Sequence, residues 1–146
     1  VPPNRVYEPP RLFNQLMRNR AQTPTTCNAI VRRSLVERVG GFVEEFTGMF
    51  EDQVFFAKAL LAAPVWVDGR TWAKYRVHPA SCSERALGTA DELRIRLRVL
   101  AWVAAYLAER KVSAFGPWLA RARAVADTRW LLWKRRLRTG LRGAAS

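Results

Sequence analysis

Cysteine and histidine are scarce in this 146-residue chain. Cys27 and Cys82 lie far apart in sequence and form no Cys-x-x-Cys pair, which favours two reduced thiols over a disulfide framework. His78 is the single histidine, and one histidine cannot build a metal site alone. The longest uncharged run in the C-terminal part is Val99–Ala108, ten residues, against the ~20 that a membrane-spanning helix needs. The sequence therefore predicts no transmembrane helix.

Acidic residues are also few, and the charge is uneven. Twelve Asp and Glu stand against 25 Lys and Arg, giving a net charge of +13. Residues 1–83 carry +4 and residues 84–146 carry +9. The positive net charge of residues 84–146 predicts that this part binds an anionic surface, either lipid or nucleic acid. A hydrophobic fraction of 49% argues against disorder, and the length suits one domain with a sizeable core.

Hydrophobic periodicity and turn residues predict a mostly helical chain with a few short strands. Helices are expected where apolar residues recur at helical spacing or a cap pattern occurs: 11–20, 34–40, 51–63, 89–111 and from 116 onward. Strands are expected over 25–32, 65–67 and 71–77. Ser34 with Glu37, and Thr89 with Glu92, have the spacing of capping boxes. In the last helix, Leu119, Ala122, Ala126, Trp130, Trp133 and Leu137 are expected on one side.

Three blocks between residues 28 and 83 carry the most specific signal. The first is the short helix ending at Gly40 and Gly41, and the second is the Glu51-Asp52-Gln53 helix start. The third is Tyr75-Arg76-Val77-His78-Pro79, followed by Ser81 and Ser83. In this order and at these spacings, the blocks resemble the acceptor-side half of a family-2 glycosyltransferase, which moves a sugar from a nucleotide donor to a hydroxyl.

The resemblance implies a fold and a set of roles. The fold would be α/β, the C-terminal portion of a GT-A (Rossmann-like) domain over residues 1–83, followed by a basic helical tail over 84–146. Asp52 would be the catalytic base, and Glu51 would orient it or contact the acceptor. Substrate would approach Gly40 and Gly41. Tyr75 and Arg76 would contact substrate, and His78, with Arg76, would help hold the metal and diphosphate.

Each assignment has a plainer alternative. Acidic residues in the first turn of a helix offset its dipole without any catalytic role. A lone histidine is often satisfied by a backbone group, and an arginine on a strand is often solvated. Gly40 and Gly41 can simply end the helix. Their lack of side chains would also let a sugar approach the backbone, and both roles are compatible.

The donor-binding features of this family are missing from the sequence. Metal-dependent members hold the nucleotide-sugar with an Asp-x-Asp motif in an N-terminal Rossmann-like half, and no carboxylates have that spacing here. A Gly-rich phosphate loop is also missing. We therefore expect an inverting transferase whose donor half lies outside this chain. The divalent cation, Mg²⁺ or Mn²⁺, would bind in the intact enzyme and not tightly to this chain alone.

The expected partners are a nucleotide-sugar and a glycan or lipid-linked acceptor, with a cytoplasmic location at the inner membrane face. The tail places tryptophans beside Lys134, Arg135, Arg136 and Arg138, which suits a lipid headgroup layer. Alternatively, the tryptophans pack on the domain. A non-enzymatic module that binds anionic membrane or nucleic acid is the competing hypothesis for the chain, although no nucleic-acid-binding motif supports the latter.

Overall fold

The computed structural model describes residues 1–19, 26–74 and 89–143, with side chains up to residue 137. This part of the chain is mostly helical, as the sequence predicts. Its elements, in chain order, are β1 (Arg5–Tyr7), α1 (Arg11–Met17), a 3₁₀ turn (Thr26–Asn28), α2 (Arg33–Val39), α3 (Glu51–Ala62), β2 (Val65–Val67), α4 (Ala90–Glu109) and α5 (Phe115–Gly143).

Helix α3 lies at the centre of the described core. Seven consecutive residues of α3, Val54 to Leu60, are buried. Helices α1, α2 and α4 all contact α3. A helix that is apolar on most faces must be covered on most faces, because exposed apolar surface is unfavourable in water. The prediction of a helix starting at Glu51 is confirmed.

Helices α4 and α5 form an antiparallel pair. The start of α4 is capped by Thr89, whose Oγ1 accepts a hydrogen bond from the Glu92 backbone N–H at 3.1 Å. Farther along, Arg121 Nε of α5 donates to the Leu100 carbonyl of α4 at 2.9 Å. The buried face of α4 consists of Leu93, Val99, Leu100, Val103 and Leu107.

The sequence leaves open whether the tryptophans of α5 pack on the domain or face outward, and in the structure they face outward. The residues that α5 buries are small, namely Ala120, Ala124 and Thr128. Trp130 and Trp133 are 52% and 56% exposed. Small side chains let the backbones of two helices approach closely, so the alanine row packs inward and the bulky indoles lie on the other side.

The predicted strand pattern is partly wrong. β2 forms as expected but pairs antiparallel with β1 in a two-stranded sheet, placing Val6 opposite Trp66. The β-branched segment after residue 25 makes a 3₁₀ turn and then no strand, and Ile30 is fully exposed. β-branched residues favour a strand only where a neighbouring strand is available for pairing. Thr71–Lys74 are likewise not a strand, and residues 75–77 lie outside the described part.

One buried cluster draws residues from both sides of the predicted boundary at residues 83 and 84. It includes Phe13 and Val54 from the first part, and Val103 and Leu107 from the second. The division into two domains remains a prediction. Across the described residues, no helix is long and apolar enough to cross a bilayer.

Replacing Leu107 with Ala should lower the free energy of unfolding by about 2–5 kcal/mol, because Leu107 has 0% exposure and the substitution leaves a cavity. Urea denaturation followed by circular dichroism measures this. Leu137→Ala is the matched control, since Leu137 is a helical leucine that is 47% exposed. Equal losses in the two variants would contradict the packing of α4 described above.

Candidate functional site

The Gly40-Gly41 turn ends α2 in the left-handed conformation that the sequence predicts. Gly40 has φ +73° and Gly41 has φ +57°. The Gly41 N–H returns to the Val36 carbonyl at 2.9 Å. Two successive left-handed residues would be unfavourable for residues with a Cβ, at about 1–2 kcal/mol each. The predicted Ser34–Glu37 capping pair is wrong, because Glu37 instead accepts a bond from Arg33 at 3.0 Å.

Lys58 connects this glycine turn to α3. It is 3% exposed and is the one charged residue among the seven buried residues of α3. Its Nζ donates to the Gly41 carbonyl at 2.6 Å and to the Gly40 carbonyl at 3.3 Å. Burial lowers the pKa of Lys58, and nearby Arg110 lowers it further. The two carbonyls supply the hydrogen bonds that a buried ammonium requires.

A second basic residue makes the reverse connection. Arg38, in the last turn of α2, donates from Nη2 to the carbonyl of Ala62, the last residue of α3, at 3.1 Å. The terminal carbonyls of a helix have no partner within the helix, and they carry the negative end of its dipole. Each helix therefore has a cation of the other at its C-terminal end, which fixes α2 against α3.

The loop after Gly41 runs back along α3 toward the start of that helix. Phe42 stacks on Phe55 with ring centroids 4.8 Å apart, about one turn closer to the helix start than Lys58. Phe50, immediately before α3, has φ +67°. A bulky residue in the left-handed region is strained, and such strain is concentrated at functional sites.

Glu51 and Asp52 form the first turn of α3, as predicted, and both are partly buried. The Gln53 backbone N–H donates to Asp52 Oδ1 at 2.7 Å. Burial raises the pKa of Asp52, the Gln53 hydrogen bond opposes the rise, and the Glu51 charge adds to it. Glu51 Oε2 is buried and accepts no hydrogen bond from the described residues. The pair thus presents one carboxylate of raised basicity beside an oxygen that lacks a donor.

The structure thus brings together two of the three predicted blocks. Gly40 and Gly41 are fixed to the helix that begins with Glu51 and Asp52, at a point about two turns along it. Tyr75, Arg76 and His78 lie outside the described residues, so the predicted convergence of His78 with Asp52 remains a prediction.

Two open grooves lie on the described surface, and neither is lined by Asp52 or Gly41. The larger, about 530 Å³, runs between the end of α1, the start of α4 and the middle of α5. The smaller, about 320 Å³, lies at the end of α3 away from Glu51, and its lining includes Arg38, Tyr106 and Arg110. The start of α3 therefore lines neither groove.

Within the described ranges, no group of three or more His, Cys, Asp or Glu side chains could hold a metal ion. The predicted ligand His78 lies outside those ranges. Glu51 and Asp52 therefore stand without a third ligating side chain in this part of the structure.

Lys58 is the residue that the sequence analysis missed. It interrupts an apolar helix, and a charge in the middle of such a run requires a buried partner. That signal was present, but the partner could not be read from the sequence because backbone carbonyls look alike at every position.

Comparison with protein-family models, curated proteins and solved structures finds no match to this chain.

Asp52→Asn should stabilise the fold at neutral pH. The folded pKa of Asp52 is raised above its usual value of 3.8, so the folded state holds the proton more tightly than the unfolded state. Stability therefore falls as pH rises from 3.8 through the raised pKa, and an amide removes that loss. Thermal unfolding at several pH values measures the effect, and the advantage of the variant should vanish below pH 3.8.

Asp91→Asn is the matched control for Asp52→Asn. Asp91 also lies in the first turn of its helix, but it is 79% exposed and pairs with Arg94 at 2.7 Å. Its replacement should lower stability by about 0–1 kcal/mol, the range for a surface ion pair. If Asp52→Asn proved as destabilising as this control at neutral pH, the unfavourable burial of Asp52 would be disproved.

Lys58→Met should lower the free energy of unfolding by about 1–3 kcal/mol, because the Gly40 and Gly41 carbonyls lose their donor while the apolar stem remains. Hydrogen exchange should also speed up at the Gly41 amide. Lys74→Met, at an exposed lysine, is the control. Unchanged exchange at Gly41 would show that the turn does not depend on Lys58.

Proposed function

We propose that this chain is the acceptor-side portion of a GT-A glycosyltransferase and that Asp52 is its catalytic base. The observation that carries the proposal is the attachment of the Gly40-Gly41 turn to the Glu51-Asp52 helix through Lys58. Two blocks that are separated in sequence, and that resemble one family in order and spacing, are neighbours in the fold.

The chemistry asked of Asp52 is a single proton transfer. The acceptor hydroxyl attacks the anomeric carbon of the donor sugar, and its proton passes to the Asp52 carboxylate. The bond from the anomeric carbon to the nucleoside diphosphate breaks, and the diphosphate leaves with the electron pair. A carboxylate whose pKa burial has raised is a stronger base than an ordinary aspartate.

Glu51 has a supporting role in this proposal. It lies beside Asp52 in the first turn of α3, and its negative charge adds to the rise in the pKa of Asp52. Gly40 and Gly41 have no atom within 4 Å of the position that a Cβ would occupy, which leaves open space beside the turn. A sugar ring can approach the backbone there.

Tyr75, Arg76 and His78 enter the proposal only through the resemblance. Tyr75 and Arg76 would contact substrate, and His78, with Arg76, would help hold the diphosphate of the donor, whose charge a divalent cation would neutralise when bound. The described residues present no metal-binding cluster. The chain also lacks the Asp-x-Asp motif that holds the donor in this family. We therefore propose that the chain does not transfer sugar by itself.

The test uses the full-length gene product, a panel of UDP- and GDP-sugars and release of the nucleoside diphosphate in the presence of an extracted glycolipid fraction. Asp52→Asn should lower kcat by about 100-fold or more, the range for loss of a general base. KM for the donor should change little, since Asp52 acts on the acceptor.

Asp91→Asn is again the control, and it should retain the activity of the unchanged protein because Asp91 is exposed and remote in the chain from the glycine turn. A near-normal rate in Asp52→Asn would remove Asp52 from the mechanism. Turnover by the isolated 146-residue chain would show that the donor site has been misassigned.

A further inference from the structure

The exposed face of α5 carries an aromatic and apolar stripe. Trp130, Trp133 and Leu137 are 52%, 56% and 47% exposed. At about 100° per residue they fall within about 60° of one another around the helix. The buried row of Ala120, Ala124 and Thr128 lies about 150° away from the stripe. The protein's own core therefore does not cover these indoles.

Cationic side chains flank the stripe on both sides. Lys134 lies on one side, with its Nζ 3.4 Å from the centre of the Trp130 ring. On the other side of Trp133, Arg129 and Arg136 follow at about 40–60° around the helix, and both are exposed. From residue 128 to residue 143 the chain has six basic residues and no acidic residue.

We propose that this face of α5 binds an anionic lipid bilayer surface, with the helix lying in the plane of the headgroups. Indoles suit the headgroup layer, since one edge of the ring is apolar and the N–H can bond to water or phosphate. Lysine and arginine on both flanks can place their stems along the apolar boundary and their charges among lipid phosphates. Residues 128–143 include no acidic residue, so no carboxylate within this stretch offsets its positive charge.

The proposal is independent of the transferase assignment, because it uses no residue of α2 or α3. It also accounts for the alanine row on the inner face of α5. That row holds the helix to α4 and leaves the larger apolar residues outward. No described helix is long and apolar enough to span a bilayer, and the proposal places α5 on the membrane surface.

Vesicle flotation of the intact 146-residue chain tests the proposal. The chain should float with vesicles of phosphatidylcholine mixed with phosphatidylglycerol, and should not float with phosphatidylcholine alone. The triple variant Arg129→Gln/Lys134→Gln/Arg136→Gln should partition about 100-fold more weakly, since each cation near an anionic surface contributes about fivefold. Raising the salt concentration should weaken binding of the unchanged chain.

A charge-matched control separates the α5 face from the net charge of the protein. Arg5→Gln/Arg32→Gln/Lys74→Gln removes three exposed cations elsewhere and leaves α5 intact. This control should retain most of the binding. If it weakens binding as much as the α5 triple variant does, the vesicles are attracted by the net charge of the protein and not by the α5 face, and the proposal is overturned.

A matched tryptophan pair tests the apolar part. Trp130→Ala/Trp133→Ala should lower partitioning at least about tenfold, because the indoles no longer bury apolar surface in the headgroup layer. Trp66→Ala/Trp72→Ala removes two tryptophans that are 58% and 63% exposed on other parts of the surface, and should bind normally. Normal binding by the α5 tryptophan variant would overturn the proposal.

Two other occupants of the stripe are distinguished in the same experiments. If the stripe is an interface with a second copy, light scattering should show a dimer that Trp130→Ala/Trp133→Ala dissociates. If duplex DNA competes with the vesicles at lower phosphate concentration than the lipid itself, nucleic acid is the preferred partner. Either result would overturn the membrane proposal.

Discussion

The buried ammonium of Lys58 is the interaction on which the candidate site depends. A lysine inside an apolar helix is unfavourable unless its charge is solvated by the protein, and the carbonyls of Gly40 and Gly41 provide that solvation. Because those carbonyls project from a left-handed turn, the turn has to sit against α3. Arg38 of α2 in turn donates a hydrogen bond to the carbonyl of Ala62 at the end of α3. The relative position of α2 and α3 therefore follows from two cations that bind helix ends.

This arrangement leaves unfavourable features at the start of α3. Phe50 is held in the left-handed region, Glu51 has an oxygen without a donor, and burial raises the pKa of Asp52. A segment selected only for stability would relieve them, since each lowers the stability of the fold. These three unfavourable features occur in the consecutive residues Phe50, Glu51 and Asp52, which is the physical reason for proposing a functional site at the start of α3. The surrounding core, with α3 covered by three other helices, provides the stability that such features require.

Helix α5 also combines a well-packed inner face with an unfavourably exposed outer face. Its alanine row allows close packing on α4, while the tryptophans are displayed outward among cations. Had the tryptophans packed inward, the positive charge of this segment would lie on an ordinary solvated helix face. Their exposure turns that charge into one part of an amphipathic surface. The candidate catalytic region and the proposed lipid-binding surface are on different helices, so each can be altered without changing the other.

The sequence by itself determined the elements whose signals are local. Gly40 stops α2 because only glycine adopts that conformation easily, Thr89 caps α4, and the apolar run after Glu51 has to be buried. Only the tertiary structure decided which surfaces meet. The pairing of β2 with β1, the inward alanine face of α5 and the carbonyls that receive Lys58 depend on partners distant in sequence. Periodicity shows that a helix has an apolar side, but two faces of α5 were apolar. The choice between them came from the close approach of a neighbouring helix, which a single helical segment does not encode.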